Sequence, residues 1–331
     1  MSRFIDAYDA AMFDLDGVVY LGPDAVEGAP ASLAELRSLG VKVGFVTNNA
    51  GRSADVVVDQ LNQLGIDCGL SDVVTSPQAI AQVMRRELPD GAKVQVCGAQ
   101  ALADEMTAAG FTVVSDFTQE PVAVVQGYDP NLSWPSLDNA GFAIQHGARW
   151  FGTNTDITRP THLGLVPGAG AQIEALRTAV PDAPITVAGK PYPPLLQETI
   201  KRMQASRPVF VGDRLDTDIE GAHNVGIDSF LVFTGAHGKK DLVSASPRQR
   251  PTAIGWNVEG LLEPRRECSQ GGGAVVCGAA RAWTSGSVVQ IDGPLTSVTE
   301  QLDALWAIVQ LTWRDGSLDA TETLDALQLL P

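Results

Sequence analysis

Basic residues are scarce in this chain. Among 331 residues, 23 are Lys or Arg against 39 Asp or Glu, a formal net charge of −16. A broad basic surface for gathering phosphate backbones is excluded, and a nucleic-acid partner with it. Long apolar runs are missing too: none approaches the roughly 18–20 residues that cross a bilayer, so no membrane partner is expected. The opening segment, MSRFIDAYDAAMFDLD, lacks the basic start and apolar centre of a secretory signal. Only four cysteines occur (Cys68, Cys97, Cys268 and Cys277), and none share a CxxC spacing. That argues against zinc or a disulfide framework and for a reduced, cytoplasmic protein. The four histidines (His146, His162, His223 and His237) show no HExxH spacing and read as surface or packing residues. Repeats and low-complexity tracts are missing beyond the glycines around Gly272.

What is present is ordinary globular composition, 44% hydrophobic and 19% charged, in a chain long enough for two or three domains. Strand and helix signals alternate from the start. A strand at 9–13 is followed by the helical spacing of APASLAELRSL, ending at Gly40, then the strand VKVGFVT. SADVVVDQLNQLG repeats the helix-then-glycine pattern with Ser53 as N-cap, and DVVTS is another short strand. The same pattern returns late as APITVAG, PPLLQETIKRM, RPVFVGD, DTDIEGAHNVG and DSFLVFTG. Such alternation predicts an α/β fold, a Rossmann-like parallel-sheet core with helices on both faces. The intervening block also alternates and reads as an inserted α/β cap domain; one continuous sheet is the alternative. The expected divisions are 1–78 and 184–257 for the core and 79–183 for the cap. Residues 258–331 form a small α+β appendage.

That last stretch carries four Arg against ten Asp or Glu. Its Gly/Ser/Ala-rich part predicts a short hairpin or ribbon. SVTEQLDALWAIVQLTWRDGS predicts an amphipathic helix with Leu302, Leu305, Trp306 and Val309 on one face and Trp313 one turn on. SLDATETLDALQLL reads as a final helix. Strands followed by a helix suggest a degenerate acetyltransferase-like fragment, but CGAARAWTSG does not match that family's coenzyme A loop. A packing or homodimer-forming role is the plainer reading.

The chemistry concentrates at strand ends. In AAMFDLDGVVYLG, residues 10–22, an apolar run stops in Asp14 and Asp16. An unpaired carboxylate is costly inside a strand, so this pair needs a reason. KVGFVT ends at Thr47 and Asn48; RPVFVGD ends at Asp213, with Asp216 and Asp218 just beyond. Ligands of open parallel sheets bind outside the carboxyl ends of strands. If these strands are neighbours, Asp14, Asp16, Thr47 and Asp213 meet in one crevice, and carboxylates gathered there need a cation; oxygen donors suit Mg²⁺. Lys190, in VAGKPYPP, adds a positive charge beside a hydroxyl and an amide, which together make a phosphate site. Phosphate-monoester hydrolysis requires acceleration of up to ~10²¹-fold. Splitting it through an aspartyl-phosphate, with charge neutralised by metal and lysine, is one solution.

Four segments in order, DLDG (14–17), TNN (47–49), GKP (189–191) and GDRLDTD (212–218), resemble the motifs of the haloacid dehalogenase superfamily, over roughly residues 8–240. FGTNTD and LVPGAGAQIEAL resemble its branch of NagD-type phosphatases and 4-nitrophenylphosphatases, whose α/β cap is inserted after the third strand. With its extra acidic C-terminal segment, the chain looks closest to bacterial glycerol-3-phosphate phosphatases. The resemblance implies that Asp14 attacks phosphorus and that Asp16, raised in pKa by partial burial and neighbouring charge, is acid then base. It implies that Thr47, Asn48 and Asn49 bind phosphoryl oxygens and that Lys190 neutralises charge. Mg²⁺ would be held by Asp14, the Asp16 carbonyl and Asp213, with Asp218 orienting the metal's water ligands.

An acid at position 16 favours a phosphatase over a phosphoryl carrier. The expected substrate is a small phosphorylated metabolite, glycerol 3-phosphate foremost. Phosphoglycolate, a sugar phosphate, pyridoxal phosphate or a nucleotide are alternatives, as are a phosphomutase or a non-catalytic phosphate-binding regulator. GLVPGAG (164–170) is read as a turn and helix start rather than a phosphate loop. Tyr128 and Trp134 are read as either packing or leaving-group contacts, and Arg149, Asp156 and Arg159 are unranked substrate candidates.

Overall fold

The computed structural model describes residues 2–161 and 163–331. The chain forms two compact units, one of residues 1–43 with 205–331 and the other of residues 44–204.

The first unit is built on parallel strands in the order Ala253–Gly255, Asp228–Val232, Pro208–Gly212 and Ala10–Phe13. The two inner strands nearest the acids, AAMF and PVFVG, are buried at every position. Continuous apolar sequence, rather than alternation, is what a parallel sheet covered on both faces requires. Ala10 pairs with Pro208 and Phe13 with Val211, so the two strands end within one residue of each other. Strand Lys42–Thr47 starts in this unit, where the Lys42 N–H donates to the Asp9 carbonyl at 3.1 Å, and runs on into the second. Helix Ala29–Ser38 carries Pro30 in its first turn and ends just before Gly40.

The Gly-rich C-terminal stretch is more than a ribbon. Strands Cys268–Gly271, Ala274–Cys277, Ala280–Ser285 and Val288–Asp292 form a four-stranded antiparallel meander joined by two-residue turns. Helix Val298–Thr312 covers it, opened by a capping box in which Ser297 accepts from the Glu300 N–H. Leu302, Leu305, Trp306 and Val309 are buried as expected. They share one core with Val275 and Val289 of the meander and with Leu231, Leu242 and Ile254. The apolar face that suggested a dimer is thus occupied inside the chain. Trp313 meets Trp306 edge-on at 5.6 Å and donates its indole N–H to the Leu242 carbonyl at 3.0 Å. The expected final helix is short, Thr321–Asp325.

In the second unit, strand Lys42–Thr47 pairs in parallel with Val73–Thr75. A separate parallel sheet has the order Ile185–Val187, Arg149–Gly152, Ala123–Gln126, Lys93–Cys97, Thr112–Val114. Two elements lie across or beside the expected divisions. Residue 79 lies inside helix Ser76–Glu87, whose N-cap Thr75 is satisfied by Gln78 and which nothing interrupts. Strand Ile185–Val187, expected in the core sheet, pairs with Arg149–Gly152 and closes the five-stranded sheet. Among the described residues no helix is long and apolar enough to cross a membrane.

Candidate active site

Each compact unit carries one group of the motif residues. In the first unit, Asp14 and Asp213 are the first residues beyond two parallel strands that end within one residue of each other, so both lie at the same sheet end. The Asp14 N–H continues the ladder to the Val211 carbonyl at 2.9 Å. Asp218 arrives on the π-helical turn Leu215–Ile219. One carboxylate oxygen from each of the three lies within 4.8 Å of the others.

Main-chain amides hold two of these acids. Asp218 Oδ2 accepts the N–H groups of Asp213 and Arg214 at 3.1 and 3.0 Å. Asp213 Oδ2 accepts the Ala236 N–H at 2.7 Å, and its carbonyl accepts the His237 N–H at 3.2 Å. His237 Nδ1 accepts the Leu215 N–H at 2.7 Å, so the ring pins this turn rather than lying idle at the surface. Two glycines leave room for Asp213. Gly17, at φ +87°, would place a Cβ 2.6 Å from Asp213 Oδ2, and a Cβ on Gly235 would collide with the same oxygen. Thr234 closes the arrangement by donating Oγ1–H to the Gly17 carbonyl at 2.6 Å.

Asp213 and Asp218 are buried and Asp14 is half-buried. Three carboxylates this close repel one another, and a bound cation would offset that. Their donor set is all hard oxygen, which fits Mg²⁺. Asp218, expected only to orient water, lies as near to this group as the other two. Asp16 stands apart. It is exposed, not partly buried, because the Leu15–Tyr20 turn folds back on the Leu15 carbonyl and leaves the Asp16 side chain outside. Asp216 pairs with Arg214 at 2.8 Å on the surface and is not in the group.

The second unit gathers the amide and lysine motifs around Asn48. Its Oδ1 accepts the Lys190 N–H at 2.8 Å, while Nδ2 donates to the Lys190 carbonyl at 3.0 Å and to both Asp156 oxygens at 3.2 Å. Its own carbonyl accepts from Ser76 Oγ at 2.7 Å and Asn154 Nδ2 at 2.6 Å. An Asn amide has two N–H donors and both are engaged. The side chain expected to bind phosphoryl oxygens holds the lysine loop. Thr47 Oγ1 accepts the Asn49 N–H at 3.0 Å, and Asn49 Oδ1 accepts the Gly51 N–H at 2.9 Å. Gly189 is pressed between neighbours: a Cβ there would lie 2.7 Å from Asn154 Cβ and 2.8 Å from Asn48 Oδ1. Lys190 is 1% exposed, a buried ammonium that suits an anionic ligand.

Asp156 and Asn154 are the residues that sequence reasoning left unranked or missed. Asn154 Oδ1 accepts the Asp156 N–H at 3.1 Å, which aims Asp156 at Asn48. The only available signal was the polar run TNTD after a buried strand. Arg149 instead pairs with Glu87, and Arg159 lies 4.9 Å over the Tyr128 ring. Trp134 is 72% exposed. GLVPGAG is no phosphate cradle: the Gly168 and Gly170 N–H groups bond to the Ile157 and Asp156 carbonyls, and their missing side chains let the backbones approach.

A carboxylate trio at the ends of parallel strands, with the motif order described above, defines a hydrolase class. The chain belongs to the haloacid dehalogenase-like hydrolases: residues 11–112 match that family and residues 187–261 match the related HAD-hydrolase-like family. It is 41% identical over 320 residues to the D-glycerol 3-phosphate phosphatase of Mycobacterium tuberculosis, covering 92% of this chain and 88% of the relative. The crystal structure of a glycerol phosphate phosphatase from that organism in complex with magnesium superposes with a TM-score of 0.88 at 36% identity. It covers 99% of this chain and 98% of that one. An acid sugar phosphatase of Staphylococcus haemolyticus is 34% identical, covering 74% of this chain and 92% of its own.

Proposed function

We propose that this chain is a Mg²⁺-dependent phosphoric monoester hydrolase acting on glycerol 3-phosphate to release glycerol and phosphate. The observation that carries the reading is the trio Asp14, Asp213 and Asp218, one half-buried and two buried acids with carboxylate oxygens within 4.8 Å of one another. Likeness to the mycobacterial glycerol 3-phosphate phosphatase supports the substrate. Asp14, the Asp16 carbonyl and Asp213 would hold Mg²⁺, with Asp218 fixing the Asp213–Arg214 main chain beside them. Bound there, the ion supplies positive charge against the phosphoryl oxygens.

In this reading Asp14 attacks phosphorus as the bond to the glycerol oxygen breaks. Asp16 gives that oxygen a proton, then takes one from the water that attacks the aspartyl-phosphate, which frees phosphate and restores Asp14. The exposure of Asp16 suits exchange with water and with a departing alcohol. Thr47, Asn49 and Lys190 are assigned to the phosphoryl oxygens, the lysine by charge and the others by hydrogen bonds. Asn48 is assigned to holding the lysine loop. The stretch from about 88 to 187, rather than 79 to 183, is assigned as the cap that selects small substrates. A reducing, cytoplasmic setting fits four cysteines that are all free thiols.

The test is free phosphate released from a panel containing glycerol 3-phosphate, phosphoglycolate, sugar phosphates, pyridoxal phosphate and nucleotides, with Mg²⁺ or with chelator. Metal-dependent release led by glycerol 3-phosphate is expected. A sugar phosphate leading the panel would replace the substrate assignment, and chelator-insensitive release would overturn the metal.

A further inference from the structure

Two cysteines of the antiparallel meander stand directly opposite each other, Cys268 paired with Cys277. Two turns fix what kind of pair this is. Gly272 and Gly273 join the strands as a two-residue loop with φ of 59° and 77°, the type I′ geometry of tight hairpins. The flanking residues, Gly271 and Ala274, exchange main-chain hydrogen bonds, and bonded and non-bonded pairs alternate away from the loop. Stepping through Gln270–Val275 and Ser269–Val276 makes Cys268–Cys277 a non-hydrogen-bonded pair. The next turn, Gly278-Ala279, agrees independently. It makes Cys277 and Ala280 a bonded pair, which turns the Cys277 main chain away from Cys268. Non-bonded pairs put Cα atoms about 4.5 Å apart with both side chains on one face. A disulfide spans Cα separations of about 4.4–6.8 Å.

The two thiols differ in exposure. Cys277 is buried in the core beneath the Val298–Thr312 helix, while Cys268 is half-buried at its margin. The Cys277 S–H donates to the Cys268 sulfur, which holds the Cys268 thiol below its ordinary range; the same bond and burial push Cys277 up. Cys268 is thus the more accessible and more readily ionised of the two, with a partner in reach.

We propose that Cys268 and Cys277 form a reversible disulfide by exchange with a low-molecular-weight disulfide, Cys268 attacking and Cys277 resolving. Cys268 thiolate attacks one sulfur of the reagent; the reagent's S–S bond breaks, and the released thiolate takes a proton from water. Cys277 then loses its proton and attacks Cys268 Sγ within the mixed disulfide. The Cys268–Cys277 bond forms and the second reagent thiol leaves. Two protein thiols are oxidised and one reagent disulfide is reduced to two thiols.

The sequence makes this readable. No Lys or Arg lies between Arg266 and Arg281, so trypsin places both cysteines in one peptide, 267–281. The folded protein is treated with oxidised glutathione, quenched in acid, alkylated in denaturant and digested without reductant. The expected product is a 267–281 peptide lighter than the dithiol form by two hydrogen atoms and carrying no alkyl group. Dithiothreitol should restore uptake of two alkyl groups. In Cys277→Ser the reaction should stop at a stable Cys268–glutathione adduct, and in Cys268→Ser position 277 should stay unmodified. The buried Cys68 and Cys97 should be alkylated throughout. Double alkylation of 267–281 after oxidation, a persistent glutathione adduct in the parent protein, or a cross-link to Cys68 or Cys97 would each overturn the proposal.

Discussion

The carboxylate group and the Asn48 group handle opposite charges with different wiring. The acids are served by short-range main-chain amides: Asp218 binds the N–H groups four and five residues before it, and Asp213 takes one from a loop 23 residues away. The lysine group has local bonds too, from Thr47, Asn49 and Asn154, but its central side chain works at long range. Asn48 reaches partners 28, 106, 108 and 142 residues distant in sequence. The first group is therefore a property of strand ends and the turns beside them. The second is a property of the whole second unit, in which chemistry and stability share the same bonds.

The largest expected effect tests the independence of the acids. Asp14→Asn should lower phosphate release by about 10⁴-fold or more, as removal of a nucleophile does. Its thermal midpoint should stay level or rise, since one of three mutually repelling charges is gone. Phosphate-release kinetics beside a circular-dichroism melt decide this. A variant that is both inactive and markedly unstable would erase the contrast with the Asn48 group.

Two glycines give a matched pair. Gly235→Ala drives a methyl group into Asp213 Oδ2 and should raise the Mg²⁺ concentration for half-maximal activity by about 10–100-fold, a typical cost of disturbing a ligand's support. Gly189→Ala crowds Asn154 and Asn48 and should raise KM for glycerol 3-phosphate while leaving the Mg²⁺ requirement unchanged. Titrating metal and substrate against both variants shows whether the two groups fail separately.

Asn48→Ala should cost roughly 1–3 kcal/mol in urea unfolding, because it strands the buried Lys190 main-chain groups. It should also raise KM. An effect on KM alone, with stability intact, would mean that the amide serves the ligand and not the loop.

The smallest effect concerns pH. Burial of Asp9 raises its pKa, but N–H groups of Ser206 and Arg207, each at 2.8 Å, outweigh this and hold it below the ordinary 3.8. A lowered folded pKa stabilises above the unfolded value, and that contribution is lost as pH falls through the folded one. Melting temperatures of Asp9→Asn and the parent should therefore converge below about pH 3.8 and differ slightly above it.

The same contrast decides what could be read from sequence. Asp14, Asp213 and Asp218 were legible because a buried parallel strand is a continuous apolar run and a polar residue ending it is conspicuous. Lys190 was legible from its place after a strand. Asn48 was found but its bonds within the protein were not, since no periodicity links position 48 to 156 or 190. The burial of Asp16 was misjudged because the turn that exposes it rests on main-chain bonds to Leu15, which side-chain pattern does not encode. The meander was under-read for a similar reason. Its strands are short and share no single polar-apolar pattern, so the Gly-Gly, Gly-Ala and Gly-Ser turns are what mark their ends, and the facing of Cys268 and Cys277 follows from register alone.

The clasp between Asn48 and Lys190 also sets a timetable. A ribosome adding 5–20 residues per second needs roughly 7–28 s to travel from the first to the second. Ser76 is made early in that interval and Asn154 late in it, but the lysine loop they hold does not yet exist. The nascent chain therefore passes through a stage in which its acids at position 14 and its amides are made while the cation is missing. A stall introduced between residues 160 and 190 should leave a protease-sensitive TNN loop, whose protection appears only once the GKP segment clears the exit tunnel.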